Sequence, residues 1–265
     1  MKNGVPQFAI VLSGNGVYDG SEIHEAACTM LAIDEIGCNY QCFAPNIDQA
    51  KTLNHYSGDA EKEPRNVLAE SARIARGKIK DLKDYKADDF DAIVFPGGFG
   101  AAMNLSNYAS KGADCEVNPE VTRAIEETFA AKKIICAMCI APVVIAKVLG
   151  KHKVRLTIGD DKKTAKDIET MGAIHEEKEA TEVCSDDINK ILTTPAYMLA
   201  ESIREVGFGT RNLIDEAIEL MELYGDLPTH EEEHTCNCGN DCNCDHNHDH
   251  ECGCSHDHPH KCTCH

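Results

Sequence analysis

The residues of this chain best suited to chemistry are one thiol, two carboxylates and a run of thiols and imidazoles near the end. Cys139 lies in Ile134-Ile-Cys-Ala-Met-Cys139-Ile-Ala-Pro142-Val-Val-Ile-Ala-Lys147, which reads as a buried strand passing directly into a helix. Pro142 suits the first helical turn, where a missing N–H costs nothing. A cysteine at such a joint sits on a sharp turn, beside free N–H groups and the positive end of a helix dipole. That setting is expected to favour the thiolate, the form that attacks carbonyl carbon. The plain alternative is a core cysteine that fills space. Cys136 completes a C-x-x-C with Cys139. Residues three apart on a strand face opposite ways, so Cys136 is expected to pack into the sheet rather than form a redox pair.

Glu22 and Glu25 open the helix that follows the first strand-like run, and at a spacing of three they share a helix face. They stand where a strand feeds a helix, on the carboxyl edge where open α/β sheets build their sites. Acidic residues there can also do no more than complement the helix dipole. Gly97 and Gly98 close another buried run, residues 91–95, in Pro96-Gly-Gly-Phe-Gly. Such a pair lets backbone approach closely and turns N–H groups into a cleft. The loop Ser13-Gly-Asn-Gly-Val-Tyr-Asp-Gly20 is one residue too long for a dinucleotide fingerprint. It is read as a close-approach loop at the sheet edge.

From residue 225 the composition changes. Cys236, Cys238, Cys242, Cys244, His246, His248, His250, Cys252, Cys254, His256, His258, His260, Cys262, Cys264 and His265 follow one another with almost no large apolar residue between them. A segment that cannot bury a core is expected to be disordered without a ligand. Repeated C-x-C and H-x-H concentrates soft donors that suit Zn²⁺ or Cu(I), although the spacing matches no single tetrahedral finger.

The remaining residues supply the frame. Strand-like runs at 7–12, 40–44, 91–95, 134–138 and 154–158 alternate with helical stretches at 21–37, 66–76, 117–131, from 142 and at 164–171. A short hairpin at 181–184 and 191–194 and a last helix at 210–224 follow. This alternation predicts an α/β fold with a mostly parallel sheet covered on both faces. Domain 1–224 then carries the fold and 225–265 the tail. The net charge of −19 disfavours nucleic acid and anionic membrane surfaces. No secretory signal or membrane-spanning run is visible, so a cytoplasmic location with reduced cysteines is expected. Eight of the 15 cysteines lie in the tail, so their number describes the tail and not the fold.

With these pieces in hand, the chain resembles the enhancing-lycopene-biosynthesis (sigma cross-reacting) proteins, a glyoxalase-like branch of the ThiJ/PfpI superfamily with a class I glutamine amidotransferase-like fold. The strings that carry the likeness are Val11-Leu-Ser-Gly-Asn-Gly-Val-Tyr-Asp-Gly-Ser-Glu-Ile-His-Glu25, Pro96-Gly-Gly-Phe-Gly-Ala-Ala-Met-Asn-Leu-Ser-Asn107, Met138-Cys-Ile-Ala-Pro142, Arg155-Leu-Thr-Ile-Gly159 and Thr193-Thr-Pro-Ala-Tyr-Met-Leu-Ala200. They run from residue 8 to about 224 and leave the tail outside. The resemblance implies a flavodoxin-like three-layer α/β/α sandwich, a homodimer, a nucleophile at Cys139 and a proton-sharing glutamate on the first helix. Counting back from Gly37 favours Glu25; counting forward from the strand favours Glu22. True glutamine amidotransferases carry G-x-C-x-G at this elbow and a downstream His/Glu pair, whereas this chain has Ala-Met-Cys-Ile-Ala and no such pair near Pro195. Many superfamily members also place His directly after the cysteine, where this chain has Ile140.

The activity implied is glutathione-independent glyoxalase chemistry on a small aldehyde, with no cofactor. Cys139 would add to the aldehyde, N–H groups around Gly97, Gly98 and Ile140 would hold the oxyanion, and Glu25 or Glu22 would move the proton. Two rivals stand beside it: a metal-handling protein with the α/β part as scaffold, and a redox or carbonyl-stress sensor reading Cys139 oxidation. For the tail, truncation at residue 225 is expected to abolish zinc or copper uptake, measured as bound metal per chain. Unchanged stoichiometry would remove the tail as the metal-binding segment.

Overall fold

A computed structural model describes residues 4–224. These belong to the first of two units of the chain, residues 1–227, and the tail thiols and imidazoles lie outside the described residues. The main sheet runs in the order β3 (Ile79–Asp81), β2 (Asn39–Ala44), β1 (Gln7–Val11), β4 (Ala92–Phe95), β5 (Ile134–Met138), β9 (Ile191–Thr194) and β8 (Cys184–Asp186). Every pairing is parallel except β8 with β9, a hairpin whose first strand lies at 184–186 rather than the expected 181–184. Without the short edge strand β3, the order β2-β1-β4-β5-β9 is the 2-1-3-4-5 of flavodoxin-like folds. Strands β6 (Arg155–Leu156) and β7 (Ile174–His175) pair in a separate two-stranded sheet, so the run expected at 154–158 does not extend the main one.

The apolar runs of the central strands follow from burial on both faces. Phe8, Ile10, Val94, Ile134 and Cys136 point to one side, and Ala9, Val11, Ile93, Phe95 and Ile135 to the other. The first side is covered by α1 (Ile23–Glu35), α2 (Val67–Ile74) and α8 (Ile203–Leu223). The second is covered by α3 (Phe99–Met103), α4 (Tyr108–Lys111), α5 (Pro119–Ala130), α6 (Pro142–Leu149) and α7 (Lys162–Thr170). Alternation along each strand thus separates two cores, giving the expected three layers.

Two helix starts differ from the expectation. The first helix begins at Ile23 rather than 21 and is capped by Glu22, whose Oε2 accepts from the Glu25 N–H at 2.7 Å. The side chains of Ser21 and Asp19 serve the preceding loop instead: Ser21 Oγ accepts from the Ser13 N–H and Asp19 Oδ2 from the Leu53 N–H. The last helix begins at Ile203 rather than 210, capped by Ser202. Gly207 and Gly209 lower local helix propensity and hide this first part in the sequence. Gly209 is there for closeness: a Cβ on it would lie 2.9 Å from the Ala180 carbonyl oxygen.

The loops after β1 and β4 meet at the point where the strand order reverses. Phe99 N–H donates to the Val17 carbonyl at 2.8 Å, Gly100 N–H to Gly20 at 2.9 Å and Glu22 N–H to Gly97 at 3.0 Å. Buried Asn104 ties the arrangement from behind. Its Nδ2 donates to the carbonyls of Ser13 and Asp19, both at 2.8 Å, and its Oδ1 accepts from Ala50 N–H at 2.9 Å. Asn104→Ala leaves the Ser13 carbonyl and the Ala50 N–H without this partner, at a cost of about 1–3 kcal/mol for each one that stays dry, while the Asp19 carbonyl keeps the Gln49 Nε2 donor at 2.6 Å. A fall of roughly 3 kcal/mol in the urea unfolding free energy is expected, and a fall below about 1 kcal/mol would show that water replaces the side chain.

Candidate active site

Strand β5 ends at Met138 and α6 begins at Pro142, so Cys139 must turn the chain within three residues. It does so with φ at +58°, a left-handed conformation that costs a non-glycine residue about 1 kcal/mol or more. The turn lifts the side chain out of strand alternation and toward the loop after β4. Its N–H is fixed on the Thr194 carbonyl of β9 at 3.1 Å. Cys139 is 8% exposed, buried but touching solvent at the mouth of the site.

Glu25, fully buried on the first turn of α1, shares a side-chain hydrogen bond with that sulfur. Its two oxygens are held by backbone N–H groups, Oε2 by Gly97 at 2.8 Å and Oε1 by Tyr197 at 3.2 Å. Gly97 is the residue that permits the contact. A Cβ there would stand 2.5 Å from Cys139 Cβ, 2.7 Å from Glu25 Oε2 and 2.9 Å from Sγ, closer than real side chains allow.

The N–H groups of Gly98 and Ile140 bond the sulfur itself. Of the residues expected to form an oxyanion hole, Gly98 and Ile140 turn their N–H groups to the sulfur, while the N–H of Gly97 donates to Glu25. This corrects the part given to Gly97, whose contribution is space and the orientation of the carboxylate. Glu22 caps the helix, its Oε2 accepting from the Glu25 N–H. It acts on Glu25 through its charge.

The electrostatics also correct the expectation of a resting thiolate. Burial pushes the Cys139 thiol well above its usual range and the Glu25 charge pushes it further; the N–H groups of Gly98 and Ile140 only partly offset this. Burial likewise raises Glu25 to about 7, with Glu22 adding to it and the N–H groups of Tyr197 and Gly97 opposing. Two acids in contact out of water cannot both be ionised. The resting pair is a thiol beside a carboxyl group that titrates near neutrality. Cys136, in the same strand, is completely buried and its thiol is raised by burial too; it packs into the sheet as expected.

Sequence reasoning missed Tyr197 and His24. Tyr197 lies on a single helical turn, Ala196–Met198, after Ala196 at φ +45°. Its backbone holds Glu25, and its hydroxyl meets His24 Nδ1 at 2.8 Å. His24 comes from α1, so turn and helix are joined on both sides of the carboxylate. The family string containing Thr194-Pro195-Ala196-Tyr197 was the available signal, but a backbone donor leaves no trace in side-chain type. Among the described residues no group of three or more His, Cys, Asp or Glu side chains is disposed to hold a metal ion.

Comparison with known proteins gives the same frame. The chain is 45% identical over 222 residues to the mitochondrial ES1 protein homolog of Rattus norvegicus, covering 80% of this chain and 83% of that one. It is 45% identical over 222 residues to the human glutamine amidotransferase-like class 1 domain-containing protein 3, mitochondrial, covering 80% and 82%. Among solved structures, an isoprenoid biosynthesis protein with an amidotransferase-like domain from Ehrlichia chaffeensis superposes with a TM-score of 0.75 at 37% identity, over 80% of this chain and 99% of that one. No family model matches. The two mammalian relatives are named mitochondrial, in contrast to the cytoplasmic location expected for this chain. No helix among the described residues is long and apolar enough to cross a membrane.

The raised carboxyl of Glu25 makes stability depend on pH. A group that titrates at about 7 when folded and 4.5 when unfolded stabilises the fold fully below pH 4.5, and that contribution is lost as pH rises through 7. Between pH 5 and 8 the native chain is expected to lose roughly 2–3 kcal/mol more than Glu25→Gln does. Urea unfolding of both chains at the two pH values measures this. Parallel losses would mean that the carboxyl is not perturbed.

Proposed function

The chain belongs to the ES1 family of glutamine amidotransferase-like class 1 proteins, and from that premise we propose that it is a glutathione-independent glyoxalase-type enzyme. It converts glyoxal or methylglyoxal to the 2-hydroxy acid through Cys139. The observation that carries the reading is the contact of one buried sulfur with one buried carboxyl group that titrates near 7.

The residues supply a complete route. As the aldehyde enters, Glu25 takes the thiol proton and Cys139 sulfur bonds to the aldehyde carbon. The oxygen that becomes an alkoxide lies against the N–H groups of Gly98 and Ile140 and picks up a proton to give the hemithioacetal. Glu25, deprotonated again, removes the hydrogen from that carbon; an enediol forms and is protonated on the neighbouring carbon. The result is a 2-hydroxyacyl thioester of Cys139, which water cleaves to the acid and the free thiol. The aldehyde carbon is oxidised and its neighbour reduced, so the reaction needs no external oxidant, reductant or cofactor. A base titrating near neutrality suits both directions of proton transfer.

Partners follow as proposals. Ile23 and Leu31 on α1 and Phe208 on α8 are exposed and offer a face for a homodimer. The tail would hold soft metal ions, Zn²⁺ or Cu(I), apart from the catalytic steps. Reduced cysteines fit the mitochondrion in which the relatives are named. The Ehrlichia protein's description supports a place beside isoprenoid biosynthesis. Replacing Cys139 by Ala is expected to lower kcat/KM for methylglyoxal by about 10³-fold or more, measured by formation of lactate. Turnover retained at the native rate would remove the nucleophile and leave the sensing or metal-handling reading.

A further inference from the structure

A groove of about 570 Å³ opens beside the two glycine loops, lined by Tyr18, Lys51, His55, Tyr56, Phe99 and Met103 among others. Its position follows from the site. Phe99 directly succeeds Gly98, whose N–H faces the reactive sulfur, and Phe99 N–H is bonded to the Val17 carbonyl, which places Tyr18 alongside. Phe99 is 52% and Tyr18 47% exposed, so both rings present apolar surface to solvent within a concave wall. The Tyr18 ring stacks on His55 with centroids 5.0 Å apart. The backbone fixes that pairing, since Tyr18 N–H donates to His55 Nε2 at 3.2 Å.

The charges of the groove differ from those of the chain as a whole. The protein carries a net −19, yet no Asp or Glu lines this wall and its charged side chain is Lys51. Lys51 makes no ion pair among the described residues. The buried Asp19 lies behind His55, its carboxylate 3.8 Å from Nε2. Planar rings stack on planar ligands, and a lone ammonium at the rim attracts an anion. A cation would meet Lys51 here.

Resting on the glyoxalase reading, we infer that this groove seats the unreacting end of the substrate, an aromatic or otherwise planar apolar group that carries a carboxylate. The aldehyde end then reaches Cys139 past Gly98, and the preferred substrates are larger and more acidic than methylglyoxal. Stacking of one ring is worth about a tenfold gain in affinity.

The full-length chain is assayed with methylglyoxal, phenylglyoxal and 4-carboxyphenylglyoxal. The expected kcat/KM rises about tenfold from the first to the second and several-fold again to the third. Phe99→Ala should lower the phenylglyoxal-to-methylglyoxal ratio about tenfold, and Lys51→Ala the ratio of the carboxylated to the plain aromatic. Ratios within one variant cancel any loss of folded protein. Equal kcat/KM for the three aldehydes, or a preference that survives both substitutions, would overturn the inference while leaving the glyoxalase reading in place. Should no aldehyde turn over, that reading fails and an NMR titration with benzoate decides the groove. Shifts confined to Tyr18, Tyr56, Phe99 and Met103 support it, and their absence overturns it.

Discussion

Glu25 and Cys139 can share one proton but cannot both carry a negative charge, because neither is surrounded by water. Everything around them follows from holding that pair together. The carboxylate receives two backbone N–H donors and two more face the sulfur, so three segments, the loop after β4, the start of α6 and the turn at Tyr197, converge on three atoms. Even so, burial outweighs these donors for both groups. The helix-dipole effect at the start of α6 is of order 1 kcal/mol, whereas desolvation of a buried ion costs several. This comparison explains why the sulfur rests protonated although it sits where a thiolate is favoured in open surroundings.

Such a pair needs strain and close approach to exist. Cys139 and Ala196 both adopt left-handed backbone, one to present the sulfur and the other to present Tyr197 N–H to the carboxylate. Gly97 passes against Cys139 and Glu25 with no room for a side chain. These costs are borne by a rigid setting. The central strands are buried on both faces, and Asn104 locks the loop after β1 to the helix after β4. Proton transfer then requires little reorganisation when an aldehyde arrives, the condition under which buried electrostatics serve catalysis best.

The fold was legible because burial on both sheet faces writes long apolar runs into the strands, and helices between them carry their own stop signals. Residues 7–12, 91–95 and 134–138 were recovered nearly to their ends for this reason. The short strand β3, the brief helix α3 and the first turns of α8 were not, since each is fixed by neighbours rather than by local preference. In the site, Cys139 and the glycine pair were visible as the types that a strand-to-helix joint and a close approach require. The choice between Glu22 and Glu25 was not, because residues three apart on a helix share a face; only the cap geometry turns one outward to its own helix end and the other inward.

Local chemistry in the sequence determined the alternating α/β architecture, the thiol at the joint, the acids on the first helix and the soft-donor composition of the tail. Each is a property of residue type and spacing within a short window. Tertiary structure alone decided that Glu25 meets the sulfur, that Gly97 is occupied by it, that Tyr197 lends a backbone N–H, and that the thiol rests protonated. Those outcomes depend on distances between segments as many as 172 positions apart and on the exclusion of water, which no local pattern encodes.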